Sequence, residues 1–175
     1  MKVLITGSQS YIGSILTEYL EHQNHEIIGY DIGLFSNCVL YDPPRTKTVL
    51  KDARDIDEND LQNIGAVVHL AGVSNDPFGN LDPAKVYDPI RIYSLRLAKL
   101  CKKLGIRFIF ASSCSVYGRG SSEMLTEDSP AFPQTPYSLN KLQIEGDLKS
   151  LSDLNFSPIA LRFATVFGMS PRIRF

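Results

Sequence analysis

The sequence has no tryptophan, and only three cysteines and three histidines among its 175 residues. The cysteines, Cys38, Cys101 and Cys114, form no C-x-x-C pair. An odd number of cysteines without a secretory signal points to reduced thiols, not to a disulfide framework. His22, His25 and His69 show no metal-ligand spacing among themselves or with the cysteines, so no metal is expected. No apolar run approaches the roughly 20 residues needed to cross a bilayer. The start, Met1 to Gly7 (MKVLITG), is too short for the apolar core of a signal peptide. A cytoplasmic protein is expected. Charge of one sign is scarce too, with 18 basic and 19 acidic residues and a net charge of -1. That balance gives no electrostatic case for nucleic acid or a membrane surface as partner.

What is present is a globular composition, 43% hydrophobic and 21% charged, in a length that fits one domain spanning residues 1–175. Apolar runs alternate with helical patterns. Strands are predicted at 2–6 (KVLIT), 26–31 (EIIGYD), 48–50, 66–70 (AVVHL), 107–112 (RFIFAS) and 158–163 (PIALRF). Helices are predicted over 12–22, briefly over 58–63, over 83–104 with a break, and from Pro136 onward. Asp82-Pro83 and Asp88-Pro89 each read as an N-cap acid before a proline, and Gly105 as a stop. Strands joined by helices need crossover connections, so the fold class is α/β with a doubly wound, mostly parallel sheet in the order 3-2-1-4-5-6.

The first strand runs into Thr6-Gly7-Ser8-Gln9-Ser10-Tyr11-Ile12-Gly13, which opens the first helix. A helix N-terminus offers unpaired N–H groups and partial positive charge to a pyrophosphate. Gly7 suits the tight turn off the strand, and Gly13 removes a side chain where helix meets sheet. Asp31 ends the second strand, where a carboxylate can accept from both ribose hydroxyls of adenosine. A 2′-phosphate would be repelled there, which favours NAD over NADP. Asp52 follows the third strand, either near an adenine or as a solvated loop acid. Asp76 reads as the start of a turn.

Tyr137 and Lys141, four residues apart on a predicted helix, share one face. Oxidising a hydroxyl carbon by hydride transfer needs a base for the hydroxyl proton. A free tyrosine, with a pKa near 10, is a poor one. A neighbouring ammonium stabilises tyrosinate and lowers that pKa. Ser112, Ser113 and Ser115 cluster at the carboxyl end of the fifth strand, where ligands bind in open α/β sheets.

These residues together resemble the extended short-chain dehydrogenase/reductase superfamily, and within it the NAD-dependent epimerase/dehydratase family, whose members act on nucleotide-sugars. The resemblance rests on Thr6 to Gly13, Asp31, His69 to Gly72 (HLAG), Ser112 to Gly118 (SSCSVYG), Pro136 to Lys141 (PYSLNK) and Leu161 to Gly168. It implies that Ser113, Tyr137 and Lys141 are catalytic. It implies cofactor contacts from Gly7, Ser10, Tyr11, Ile12, Gly13, Asp31, Asp52, Ala53, Leu70, Ala71, Gly72, Ser112, Tyr137, Lys141, Phe163 and Val166. Ser115 and Thr165 would face the nucleotide-sugar, and Tyr117 would be structural. A homodimer through 89–104 and 137–151 is implied as well.

The departures carry information. Ser10 replaces the middle glycine of the family loop, which requires a negative φ there. Cys114 and Ser115 replace the Asp-Glu pair of the dehydratases, which disfavours loss of water. Ile90 occupies the position of a family asparagine. The chain also stops soon after the sixth strand, where family members continue into a smaller substrate domain. The expected function is therefore an NAD-dependent epimerase or reductase acting at a sugar hydroxyl carbon, with this chain as its truncated cofactor half. The alternative is a dinucleotide-binding fragment or redox-sensing module without turnover.

Overall fold

The computed structural model describes residues 1–34, 36–42, 47–73, 82–119 and 124–172. Six strands form one sheet: β1 (Lys2–Thr6), β2 (Glu26–Asp31), β3 (Thr48–Leu50), β4 (Ala66–His69), β5 (Arg107–Ser113) and β6 (Ile159–Phe163). Their order is β3-β2-β1-β4-β5-β6 and every pairing is parallel, as the crossover argument requires. Val3 of β1 stands opposite Ile27 on one side and Ala66 on the other. The strand order reverses between β1 and β4, so the chain diverges at their carboxyl ends and leaves a crevice.

The helices are α1 (Tyr11–His22), α2 (Pro83–Val86), α3 (Asp88–Leu104) and α4 (Pro136–Leu151). Strand side chains alternate between faces, which splits the core in two. Val3, Ile5, Ile27 and Ala66 pack with Leu16 and Leu20 of α1. Leu4, Val67, Phe108 and Phe110 pack on the opposite face with Leu97 and Ala98 of α3 and Ile144 and Leu148 of α4. Beside α1, an apolar groove of about 440 Å³ runs over Val68, Leu70, Ile109, Ala111, Leu161 and Phe163.

Three expectations are corrected. No helix forms over Glu58 to Asn63. The Asp57 carboxylate accepts from Asn59 N at 2.8 Å, and Asp60 accepts from Asp57 N at 2.8 Å and from Lys51 Nζ at 2.6 Å. Such local side-chain bonds compete with helical ones, and Asn63 leaves the segment at φ 61°. The 83–104 helix does break, but Asp88 does not cap its second part. Asp88 is already helical and Tyr87 is the cap residue, whose side chain does not cap the helix. Asp82 does cap, accepting from Ala84 N at 3.0 Å. The third is the stretch between the fifth strand and Pro136, to which the sequence assigns neither strand nor helix and which begins with a 3-10 turn over Cys114–Tyr117. Gly105 ends α3 at φ 68°, as expected. Asp76 lies outside the described residues.

The chain after β6 turns back across the start of α1. Tyr11 Oη donates to Gly168 O at 2.6 Å, and Ser170 Oγ donates to Tyr11 O at 2.9 Å. Beyond them Arg172 Nη1 donates to Ser36 O at 2.8 Å, and Leu40 N to Pro171 O at 2.9 Å.

Candidate functional site

The loop between β1 and α1 is built around two close approaches. A Cβ on Gly13 would lie 2.1 Å from Gly7 O, and one on Gly7, at φ +73°, would lie 2.9 Å from Ala71 N. No other residue type fits either position without moving the backbone. Ser10 has φ -79° and caps α1, its Oγ accepting from Gly13 N at 3.1 Å. The serine in place of a glycine is thus accommodated, and it supplies the cap. The N–H groups of Tyr11 and Ile12, at the helix start, have no intrahelical acceptor. Two buried oxygens of the same loop, Ser8 Oγ and Gln9 Oε1, have no hydrogen-bond partner among the described residues.

Asp31 reaches this loop from the end of β2. Its Oδ2 accepts from Gln9 N and its Oδ1 from Gly33 N, both at 2.9 Å. Asp52 has a local task that its sequence position did not reveal. It caps a 3-10 turn over Ala53–Asp55 and accepts from Arg54 N at 2.8 Å and Arg54 Nη2 at 2.7 Å. The Arg54 side-chain bonds hold its carboxyl below the usual range. Ala53 packs against the larger core cluster.

Under the loop lies a network that sequence reasoning missed. His69 is fully buried and shares hydrogen bonds with Thr6 Oγ1 at 2.7 Å and Ser94 Oγ at 2.9 Å. Thr6 Oγ1 in turn accepts from Ala71 N at 3.2 Å, and Tyr93 Oη donates to Ala71 O at 3.1 Å. The segment Leu70-Ala71-Gly72 is therefore pinned from below. Burial drives the His69 pKa down to about 3, so the ring is neutral. The signal available in the sequence was a histidine inside an otherwise apolar strand.

Ser113 ends β5, and Lys141, which lies near the Tyr137 ring, bonds to the same strand at Ala111. Thr135 and Ser138 form a reciprocal capping box that starts α4, which places Tyr137 in the first turn. Lys141 is one turn further on, its Nζ 5.6 Å from the Tyr137 ring centroid and 4.5 Å from that of Phe110. It donates to Ala111 O at 2.6 Å. Burial lowers its pKa to about 8, against a partial offset from Glu145. Ser113 Oγ accepts from Ser115 N at 3.2 Å and from Ser115 Oγ at 2.9 Å. With both lone pairs engaged, the Ser113 hydroxyl proton remains for an outside acceptor.

The other residues named from the sequence have the following surroundings. Ser112, named as a cofactor contact, is buried and gives its hydroxyl to Glu145 of α4. Ser115 turns onto Ser113. Phe163 lines the apolar groove, while Thr165 and Val166 are exposed. Tyr117 Oη accepts from Arg162 Nη1 at 2.8 Å, a structural bond. Ile90 is core, and the buried amide nearby comes from α4, where Asn140 Nδ2 donates to Tyr87 O at 2.9 Å.

Comparison with known proteins gives a consistent result. The sequence profile of the NAD-dependent epimerase/dehydratase family matches residues 3–174. The UDP-glucose 4-epimerase of Bacillus subtilis is 30% identical over 186 residues, covering 98% of this chain and 54% of that protein. Among solved structures, the NAD-dependent NDP-hexosamine 5,6-dehydratase TunA superposes with a TM-score of 0.87 at 26% identity, covering 98% of this chain and 57% of that one. The UDP-glucuronic acid 4-epimerase of Bacillus cereus, in complex with UDP-glucuronic acid and NAD, gives 0.82 at 26% identity, with 98% and 59% covered. The chain spans about half the length of the curated relatives it matches.

Proposed function

The chain belongs to the NAD-dependent epimerase/dehydratase family, and from that premise we propose that it is the cofactor-holding, proton-handling part of a nucleotide-sugar epimerase or reductase. The observation that carries this reading is one of placement. The glycine loop after β1 and the Ser113, Tyr137 and Lys141 group after β5 lie at the same end of one parallel sheet.

The residues fit a dinucleotide. Gly7 and Gly13 keep side chains out of the cradle, and the N–H groups of Tyr11 and Ile12 suit a pyrophosphate. Asp31 would exchange its loop N–H bonds for ribose hydroxyls, which favours NAD over NADP. When bound, NAD supplies the hydride acceptor. The remaining steps fall to the protein. Tyr137 takes the proton of the sugar hydroxyl. The Lys141 ammonium, close to its ring, favours the phenolate. Ser113 donates its free proton to the same sugar oxygen and holds it in place. Returning hydride to the opposite face of a keto-sugar gives epimerisation, and a single pass gives oxidation or reduction. Loss of water would need a carboxylic acid beside Ser113. Cys114 and Ser115 stand there instead, so the reading remains epimerase or reductase.

The test is a calorimetric titration with NAD and NADP, followed by NADH absorbance with UDP-sugars. Saturable NAD binding, tighter than NADP and weakened at least tenfold in Asp31→Ala, is expected. Tyr137→Phe should bind NAD normally and lose a factor of about 100 or more in hydride transfer. Equal affinity for both cofactors in wild type and Asp31→Ala would overturn the cofactor placement. Full turnover in Tyr137→Phe would overturn the base. NAD binding with no turnover of any UDP-sugar would favour the second reading, a dinucleotide-binding module.

A further inference from the structure

Behind the Tyr137 and Lys141 pair lies an ion pair that the proposed chemistry does not use. Glu145 follows Lys141 by one helical turn. Its Oε2 accepts from Arg162 Nη2 at 2.7 Å, and both of its oxygens accept from Arg162 Nε at 3.1 Å. Both side chains are largely buried, 12% and 20% exposed. Glu145 Oε1 also accepts from Ser112 Oγ. Ser112 and Arg162 are register partners across β5 and β6. The guanidinium lies over the Tyr117 ring, 4.8 Å from its centroid. One carboxylate thus ties α4 to both strands and to the turn that begins at Ser113.

We propose that the Glu145 and Arg162 pair is the positioning element of the catalytic group. It fixes the rotation of α4 against β5 and β6, and it balances the charge around the buried ammonium of Lys141. This rests on the reading of Lys141 as the partner of Tyr137. Three observations support it. Lys141 donates to the carbonyl of Ala111, the residue next to Ser112, so the clamp and the lysine grip adjacent positions of β5. Glu145 is the carboxylate that offsets the burial of Lys141. Arg162 pairs with that carboxylate at 2.7 Å, and a buried pair with one partner removed leaves an uncompensated charge.

The groups facing Lys141 define the electrostatics. Tyr137 and Glu145 face it from α4. Lys141 itself acts on neutral His69 of β4, the Ala111 carbonyl and Phe110 ring face it from β5, and Arg162 stands behind Glu145 from β6. Removing either member of the pair should therefore shift Lys141 in opposite directions. Glu145→Gln leaves an unbalanced cation nearby and disfavours the ammonium. Arg162→Gln leaves an unbalanced carboxylate and favours it. A purely structural role would loosen the site in both variants and move Lys141 the same way, toward its solvated value.

The experiment is a pH titration of the Lys141 side chain by NMR in the NAD-free chain, with the resonance assigned by Lys141→Arg. The expected midpoint falls by about one unit or less in Glu145→Gln and rises by a similar amount in Arg162→Gln. Arg162→Lys, which keeps the charge, should stay close to wild type. Where Glu145→Gln does not fold, Glu145→Asp, with its carboxylate drawn back by one methylene, should lower the midpoint by a smaller step. Shifts of the same sign in the two glutamine variants, or no shift in Glu145→Asp, would overturn the proposal. The measurement needs neither cofactor nor substrate, so it can fail while NAD binding and hydride transfer stand.

Discussion

At the scale of single residues, Lys141 carries a measurable cost. Its folded pKa is about 8 against a usual 10.5. Below pH 8 both folded and unfolded chains hold the proton, and the cost of burying the charge is fully present. Between pH 8 and 10.5 the unfolded chain binds more protons than the folded one, so stability rises with pH across that window. The slope is at most about 1.4 kcal/mol per pH unit. Urea unfolding of wild type minus Lys141→Met, measured from pH 7 to 10.5, should show this rise, and a flat or falling difference would contradict it. The residue types of the candidate site could be proposed from the sequence because each has a chemical reason to be there. The phenol needs a cation, the pyrophosphate needs glycines at a helix start, and the ribose needs an acid at a strand end. Ser112 and Asp52 have partners in the structure that the sequence did not announce. Their hydroxyl and carboxylate found nearer partners, Glu145 and Arg54, and no spacing rule announces those.

At the scale of elements, α4 shows how a local signal serves the site. The reciprocal bonds of Thr135 Oγ1 with Ser138 N at 3.2 Å and of Ser138 Oγ with Thr135 N at 3.0 Å fix its first turn, and Tyr137 sits inside that turn. Thr135→Ala should cost about 1 kcal/mol in urea unfolding. It should also speed amide exchange at Ser138 and Leu139 more than at Leu148, and equal exchange along the helix would show that the cap does not govern the start. The sequence offered Pro136 as the helix start but not the box, since the usual acid three residues on is a serine here. Strand positions and sheet order were legible from apolar runs and crossover geometry alone. The short helix over 58–63 was not formed, because the Asp57 and Asp60 carboxylates take nearby amides and outcompete a nucleus that short. The segment 164–172 had no readable period. Its placement depends on Tyr11, Ser14 and Ser36, residues far away in the chain.

At the scale of the whole molecule, the two faces of the sheet are unequal. α3 and α4 cover one, whereas the groove beside α1 leaves Leu161 42% exposed on β6. Such an apolar surface should take up a hydrophobic dye in the native state. Leu161→Lys should cut the dye fluorescence by half or more while leaving the free energy of unfolding within about 0.5 kcal/mol of wild type, since the change sits at a partly solvent-facing site. An unchanged dye signal would place the binding elsewhere.

The return of residues 168–172 across α1 has a consequence for synthesis. Tyr11 and Gly168 are joined across 157 positions. On the ribosome β1 and α1 emerge before β6, and the outer side of that helix start must wait for the stretch beyond β6. The loop between β1 and α1 is thus made well before the stretch that closes over it, and a nascent chain halted before Ser170 would present that loop without its clasp.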